Sequence, residues 1–258
     1  MKVFVEAIGF AAPGLENWAS ARAVLRGEAT YTPADLSVYQ PNLLPPNERR
    51  RAAPAVRLAF RIAEDAISRS RFKAAELATV FATSEGDTSI LHRLCTALAE
   101  PARAVSPTDF HNSVHNAAAG YWSIAAGAKP PSTSLSAFDA TFCAGLIEAA
   151  TLVHVEQRPV LLACYDVVPP EPLKTTRPIE APFGATMVLT PDASSGAALQ
   201  LAVAREDETE LADNALERLR QANPAARALP LLRLIAREQK DAVVLAGAGK
   251  SRWRVQFG

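Results

Sequence analysis

Three thiols, four imidazoles and one carboxylate near a cysteine are the side chains of this 258-residue chain that could carry chemistry. Cys95, Cys143 and Cys164 are odd in number and include no CxxC pair, so neither a disulfide framework nor a zinc site is expected. His92, His111, His115 and His154 contain no HExxH spacing, and no metal or other cofactor is expected. Cys143, His115 and Asp139 make an imaginable nucleophile, base and orienting acid. Against that, Cys143 sits among Phe142, Ala144 and Leu146, a setting for a small core residue, whereas a reactive cysteine needs an electropositive and partly exposed one. Cys164, inside the apolar run PVLLACY, reads as core as well. GAGKS at 247–251 has Val244 where a phosphate loop needs its leading glycine, and predicts a hairpin turn.

The elements that must position these side chains alternate. Lys2–Ile8 predicts a buried strand, and Gly14–Leu25 a helix with Trp18, Ala21 and Leu25 on one face. Residues 27–48 carry Pro33, Pro41, Pro45 and Pro46 and predict a long irregular connection. Arg50–Ser70 is amphipathic at helical spacing, with Pro54 tolerable only near its first turn. A short strand over Ala78–Thr83 precedes a helix over Thr88–Ala99, whose stripe Leu91, Leu94, Cys95 and Leu98 reads as core or as the lining of a tunnel. Asn112–Gly127 predicts a buried Ala-rich helix capped by Asn112 or Ser113. Then follow a strand over Ser132–Ala137, a helix over Asp139–Val155 and a fully buried strand over Pro159–Tyr165. Ala185–Leu189 and Ala198–Ala204 predict further strands, Thr209–Gln221 and Leu229–Arg237 helices, and Val243–Leu245 and Trp253–Phe257 closing strands. The charged stretch Glu206–Arg220 reads as a solvated helix face. Strands alternating with helices of this length predict an α/β layered fold.

Lys+Arg and Asp+Glu both number 27, which offers nothing to nucleic acid or to an anionic membrane, though a local basic patch would suit an acidic carrier protein. The opening MKVFVEAIGF is too short and alternating for a leader or a membrane span, so a cytoplasmic protein is expected.

The segment Ala117–Ala150 resembles the ketoacyl synthases. Gly120, Gly127, the Ser132–Ala137 strand and Glu148-Ala149-Ala150 fall in register with that family without a gap, and Asn116 fits a recurrent asparagine. MKVFVEAIGFAAP, the helix with Trp18 and Leu25-Arg26-Gly27, VLLACYDVV and PFGATMVLTP extend the likeness over about 190 residues. The resemblance implies a thiolase-like half-fold: a mixed five-stranded sheet with helices on both faces. It assigns residues 1–205 to a synthase-like domain and 206–258 to a divergent segment packed on it.

Two departures bear on function. The nucleophile position holds Asp139, where the family needs a thiolate to carry the acyl chain as a thioester; a carboxylate would give a mixed anhydride, quickly lost to water. No histidine follows His154, and nothing after residue 190 resembles the family's His-Gly-Thr segment, so the Cys-His-His constellation cannot be assembled from this chain. The pattern is similar to chain length factors of type II polyketide systems, and more closely to the short synthase-like subunits of aryl polyene pathways. That likeness implies a non-catalytic subunit, paired with a full-length ketoacyl synthase and acting on acyl carrier protein substrates. Chain length factors often carry glutamine at the nucleophile position, so Asp139 reads either as a helix N-cap or as the carboxylate of a pseudo-active site. The resemblance puts Phe110, His111 and His115 in the segment that reaches the partner and its tunnel, with Leu91, Leu94, Leu98 and Leu135 as further interface candidates. Two other classes remain open: an acyltransferase or hydrolase using Cys143 or Asp139, and a homodimeric structural protein.

Overall fold

The computed structural model describes residues 1–258, the side chain of Ser195 excepted. Eight strands form one sheet: β1 (Lys2–Ala11), β2 (Ala78–Ala82), β3 (Ser132–Leu135), β4 (Val160–Asp166), β5 (Phe183–Thr190), β6 (Ala198–Ala204), β7 (Ala242–Ala246) and β8 (Arg252–Phe257). Their order is β3-β2-β4-β5-β1-β6-β8-β7. Strands β3, β2 and β4 run parallel, and every later pairing is antiparallel. The expected mixed five-stranded sheet is therefore the run β3-β2-β4-β5-β1, and β6, β8 and β7 lengthen that same sheet. Residues 247–251 turn between β7 and β8 as a hairpin, with Gly249 at positive φ.

Ten α-helices connect the strands: α1 (Trp18–Arg26), α2 (Pro46–Arg51), α3 (Pro54–Ile67), α4 (Thr88–Ala99), α5 (Pro107–Asn112), α6 (Ala117–Ala126), α7 (Thr141–Glu156), α8 (Leu173–Thr176), α9 (Asn214–Ala222) and α10 (Leu229–Arg237). Strand β4 carries no charge from Val160 to Tyr165 because both its faces are covered. Val160, Leu162 and Cys164 join the cluster built with α1, α7, α9 and α10, while Leu161, Ala163 and Tyr165 join the one built with α3 and α6. The second cluster contains no residue of β6, β7 or β8, so the described helices cover that extension on one face only. Gly145 lets α7 lie close on the sheet: a Cβ there would meet Ala82 Cβ and Leu162 Cδ1, each at 2.9 Å. The run Phe138–Glu156 is long and apolar enough to cross a membrane, but α7 is spent packing on β4 and β2.

Several local expectations are corrected. Residues 112–127 are not one buried helix. Ser106 caps α5, Asn112 is buried with its Oδ1 accepting from the Tyr121 hydroxyl at 3.0 Å, and α6 starts at Ala117 without a side-chain cap. Only Ala118, Ala119 and Trp122 of α6 are buried. The Thr88–Ala99 stripe is not core either, since Leu91, Cys95 and Leu98 are exposed and only Leu94 packs partly on the core beside the buried Ile90. Glu206–Arg220 is largely solvated, with Glu206, Asp207, Glu210, Asp213 and Arg218 exposed, but it is helical only from Asn214, and Arg220 is buried, ion-paired to Glu217 at 2.6 Å and to Glu208 at 3.3 Å. Those bonds satisfy a guanidinium that could not otherwise be buried.

Candidate functional site

Open α/β sheets bind ligands beyond the carboxyl ends of their parallel strands. Here β2, β3 and β4 deliver polar side chains to that end. Asp166, the last residue of β4, is fully buried, and its Oδ1 accepts from Thr83 Oγ1 at 2.9 Å, Ser84 N at 2.7 Å and Ser84 Oγ at 3.0 Å. Burial pushes its carboxyl from 3.8 up to about 6, against the pull of those donors and of Arg177. Oδ2 of Asp166 and Nη2 of Arg177 are both buried without a hydrogen-bond partner.

The exit of β3 is tighter. Ser136 donates to Ser84 O at 2.9 Å, and Thr141 Oγ1 accepts from Ala137 N at 3.0 Å while donating to Phe138 O at 2.6 Å. Those bonds hold Phe138 at φ +54°, a left-handed conformation that costs a bulky residue about 1–3 kcal/mol. The ring nevertheless stays outside, 62% exposed. The guanidinium of Arg177 stacks 3.7 Å from the ring centroid. Its Nε donates to Glu85 and its Nη1 to Asp139, each at 2.7 Å, leaving the arginine side chain 14% exposed. Arg177 lies in the proline-rich segment after β4 and clasps the exits of β2 and β3 together.

Asp139 is therefore not an N-cap. The helix α7 begins at Thr141, Ala140 occupies its cap position with no side-chain bond, and the guanidinium takes the Asp139 carboxylate instead. Cys143, one turn along, is buried with its thiol pushed up to about 12 by desolvation, and Cys164 is raised well above 9 for the same reason. His115 points Nε2 at Thr83 O, 3.1 Å away. Among the described residues no hydrogen bond joins Cys143, His115 and Asp139, and no His/Cys/Asp/Glu group could hold a metal. Neither buried cysteine is a thiolate at neutral pH.

The other named residues sit on the surface beyond the clasp. A two-pronged ion pair of Arg93 with Asp109, at 3.0 and 2.7 Å, ties α4 to α5 and holds the Asp109 carboxyl below its usual range. Leu91 and Leu98 on α4 are exposed, as are Phe110 and His111 on α5, Phe110 to 69%. Leu135, at the end of β3, is half-buried against the core. Sequence reasoning missed Glu85, Phe138, Asp166 and Arg177. An aspartate closing the apolar run VLLACY was a visible sign of a buried carboxylate at a strand end, whereas nothing local links Arg177 to Glu85.

A model of the beta-ketoacyl synthase N-terminal domain matches residues 17–254. The chain belongs to that family. Family members of known structure share its fold: a chain in the complex of the ketosynthase ApeO with its chain length factor ApeC from Xenorhabdus doucetiae superposes with a TM-score of 0.75 at 23% identity, over 99% of both chains. The ishigamide ketosynthase/chain length factor gives 0.74 at 12% identity, over 99% of this chain and 98% of that one. AntDE:AntF, a type II polyketide acyl carrier protein in complex with its ketosynthase, gives 0.74 at 11%, over 100% and 99%. No curated protein sequence matches the chain.

Proposed function

We propose that the chain is a non-catalytic, chain-length-factor-like subunit that pairs with a full-length ketoacyl synthase and shapes the tunnel receiving its growing acyl chain. One observation carries this reading: at the turn between β3 and α7 there is no thiol, and the carboxylate present is bound by Arg177. Acyl transfer through a thioester has no acceptor there. The unequal edges of the sheet support pairing. Edge strand β7 is covered, with Thr209 N donating to Val244 O and Val244 N donating to Thr209 Oγ1, both at 2.9 Å. Strand β3 has β2 on one side and no described strand on the other. The solved relatives include complexes of a ketosynthase with its chain length factor and one with an acyl carrier protein. The basic run Arg49-Arg50-Arg51 on α2 suits an acidic carrier of that kind.

The test is co-expression with each full-length ketoacyl synthase of the source genome in turn. A one-to-one complex is expected whose synthase subunit alone gains the mass of an acyl group from a loaded carrier protein. A stable acyl adduct on this chain, or no complex with any synthase, would overturn the reading.

A further inference from the structure

The proline-bearing connection between α1 and α2 is held in place by side chains. Among the described residues, none of residues 29–44 makes a backbone-to-backbone hydrogen bond. Its two ends are fixed. Thr32 O lies so close to Gly14 that a Cβ there would meet it at 2.1 Å, and Pro41 and Leu44 are buried. Between those ends only Leu36 and Tyr39 are half-buried, and Val38 is 83% exposed. Two contacts bind this middle stretch to the body. Glu16 accepts from Ser37 N at 3.1 Å and from Ser37 Oγ at 2.6 Å, while Arg61 Nη1 donates to Ser37 O at 2.9 Å. The Tyr39 hydroxyl donates to Glu64. We propose that residues 32–40 form a strap that swings off α3 as a unit while the sheet stays folded, released at Ser37 and Tyr39.

Three observations favour opening over rigid attachment, and none of them depends on the pairing proposed above. The strap stands over open space. A cleft of about 270 Å³ lies on one side of Tyr39, lined by Leu36, Leu58, Val167 and Pro182, and one of about 310 Å³ lies on the other, lined by Glu16, Asn42, Glu64 and Asp65. Tyr39 and Arg61 line both, so little apolar contact is lost when the strap leaves. Opening also strands no buried charge. Arg61, the buried cation, keeps its ion pair with Glu16 and its bond to Glu16 O at 3.2 Å, and Glu64 keeps Asn42 N and Leu43 N, each at 3.0 Å, at the anchored end. Finally, the space beneath leads somewhere. Val167 follows the buried Asp166, and Pro182 ends the segment that carries Arg177, so an open strap joins the two clefts and bares the rear of the clasp.

Thermolysin cuts before exposed Leu36 or Val38 only when the surrounding chain can leave the surface, which makes it a probe of the open state in the full chain. At urea concentrations below the unfolding midpoint, the first cut is expected in the strap, at a rate nearly independent of urea because opening exposes little surface. Ser37→Ala and Tyr39→Phe each remove a hydrogen bond to a carboxylate and should each raise that rate about tenfold. Both alter half-buried or exposed side chains, so their circular dichroism should match the wild type; should one fail to fold, the other decides alone. A cutting rate that climbs with urea as steeply as global unfolding, followed by tryptophan fluorescence, would show that the strap leaves only with the whole fold and would overturn the proposal. So would a first cut outside residues 32–40. A rate that both variants leave unchanged would mean that the closed strap is cut directly, and that too would overturn it.

Discussion

At the scale of residues, the site is an arginine clasp on Glu85 and Asp139 beside a buried acid, Asp166. Asp166 carries a testable pH signature. Its folded pKa is raised, so its contribution to stability is fully present below 3.8 and is lost as pH rises through about 6. Urea midpoints of wild type and Asp166→Asn measured between pH 3.5 and 7 should diverge in that window. The wild type should lose roughly a few kcal/mol relative to the variant as pH rises. Parallel profiles would mean that Asp166 is not desolvated as its burial implies. Phe110 gives a second residue-level outcome. Because it is exposed, Phe110→Ala should change stability by no more than about 0.5 kcal/mol. In the assembled complex it should shift the product mixture toward longer chains while the synthase turns over, since removing a steric gate of ~1–3 kcal/mol redistributes products. An unchanged length profile, normalised to intact complex, would leave Phe110 outside the gate. Of this site the sequence displayed Asp139 and the absence of a thiol. It did not display the clasp, because Arg177 is 92 residues from Glu85 and 38 from Asp139 and meets them only when β2, β3 and β4 end side by side.

At the scale of elements, β3 differs from its neighbours in having an unpaired side. Pro131 O and Leu135 O accept from Thr79 N on β2 and from Thr83 N just beyond it, so the alternate residues Ser132 and Ser134 turn their backbone groups toward the open edge. Ser134→Pro removes an outward N–H without taking a bond from β2. The isolated chain should therefore lose about 1 kcal/mol or less, read from its melting temperature, while pairing with the synthase should fall sharply by size-exclusion chromatography. Retained pairing would move the interface away from this strand. The periodicities placed all eight strands and the longer helices, but not the short α2, α5 and α8, because alternation and 3.6-residue spacing are local properties that need several turns or residues to register. They failed where a helix face is only partly covered: the alanines of α6 look like core in sequence, but only Ala118, Ala119 and Trp122 of that helix are buried, and Ile124 is exposed. They failed again at Arg220, whose burial depends on carboxylates gathered from a loop and from its own helix.

At the scale of the whole molecule, the last fifty residues are woven into the first two hundred. Leu216 and Leu219 of α9, and Leu229, Leu231 and Leu232 of α10, pack in the same cluster as β1 and α7, and β8 pairs along the whole of β6. A chain cut after Arg205 would expose that cluster and a new strand edge together. It should yield no cooperatively folded protein, by amide dispersion in NMR and by the absence of a thermal transition. A well-dispersed spectrum from 1–205 would make that segment an independent domain. The sequence by itself determined the α/β order of elements, the likeness to the ketoacyl synthases and the missing thiol, because each is written in residue types at short spacing. Only the tertiary structure decided that the sheet continues through β6, β8 and β7, that Asp139 serves an arginine and not a helix cap, and that Ile124 of α6 is exposed. Strand neighbours, ion-pair partners and bare surface all depend on which distant segments the packed core brings together, and no local pattern encodes that choice.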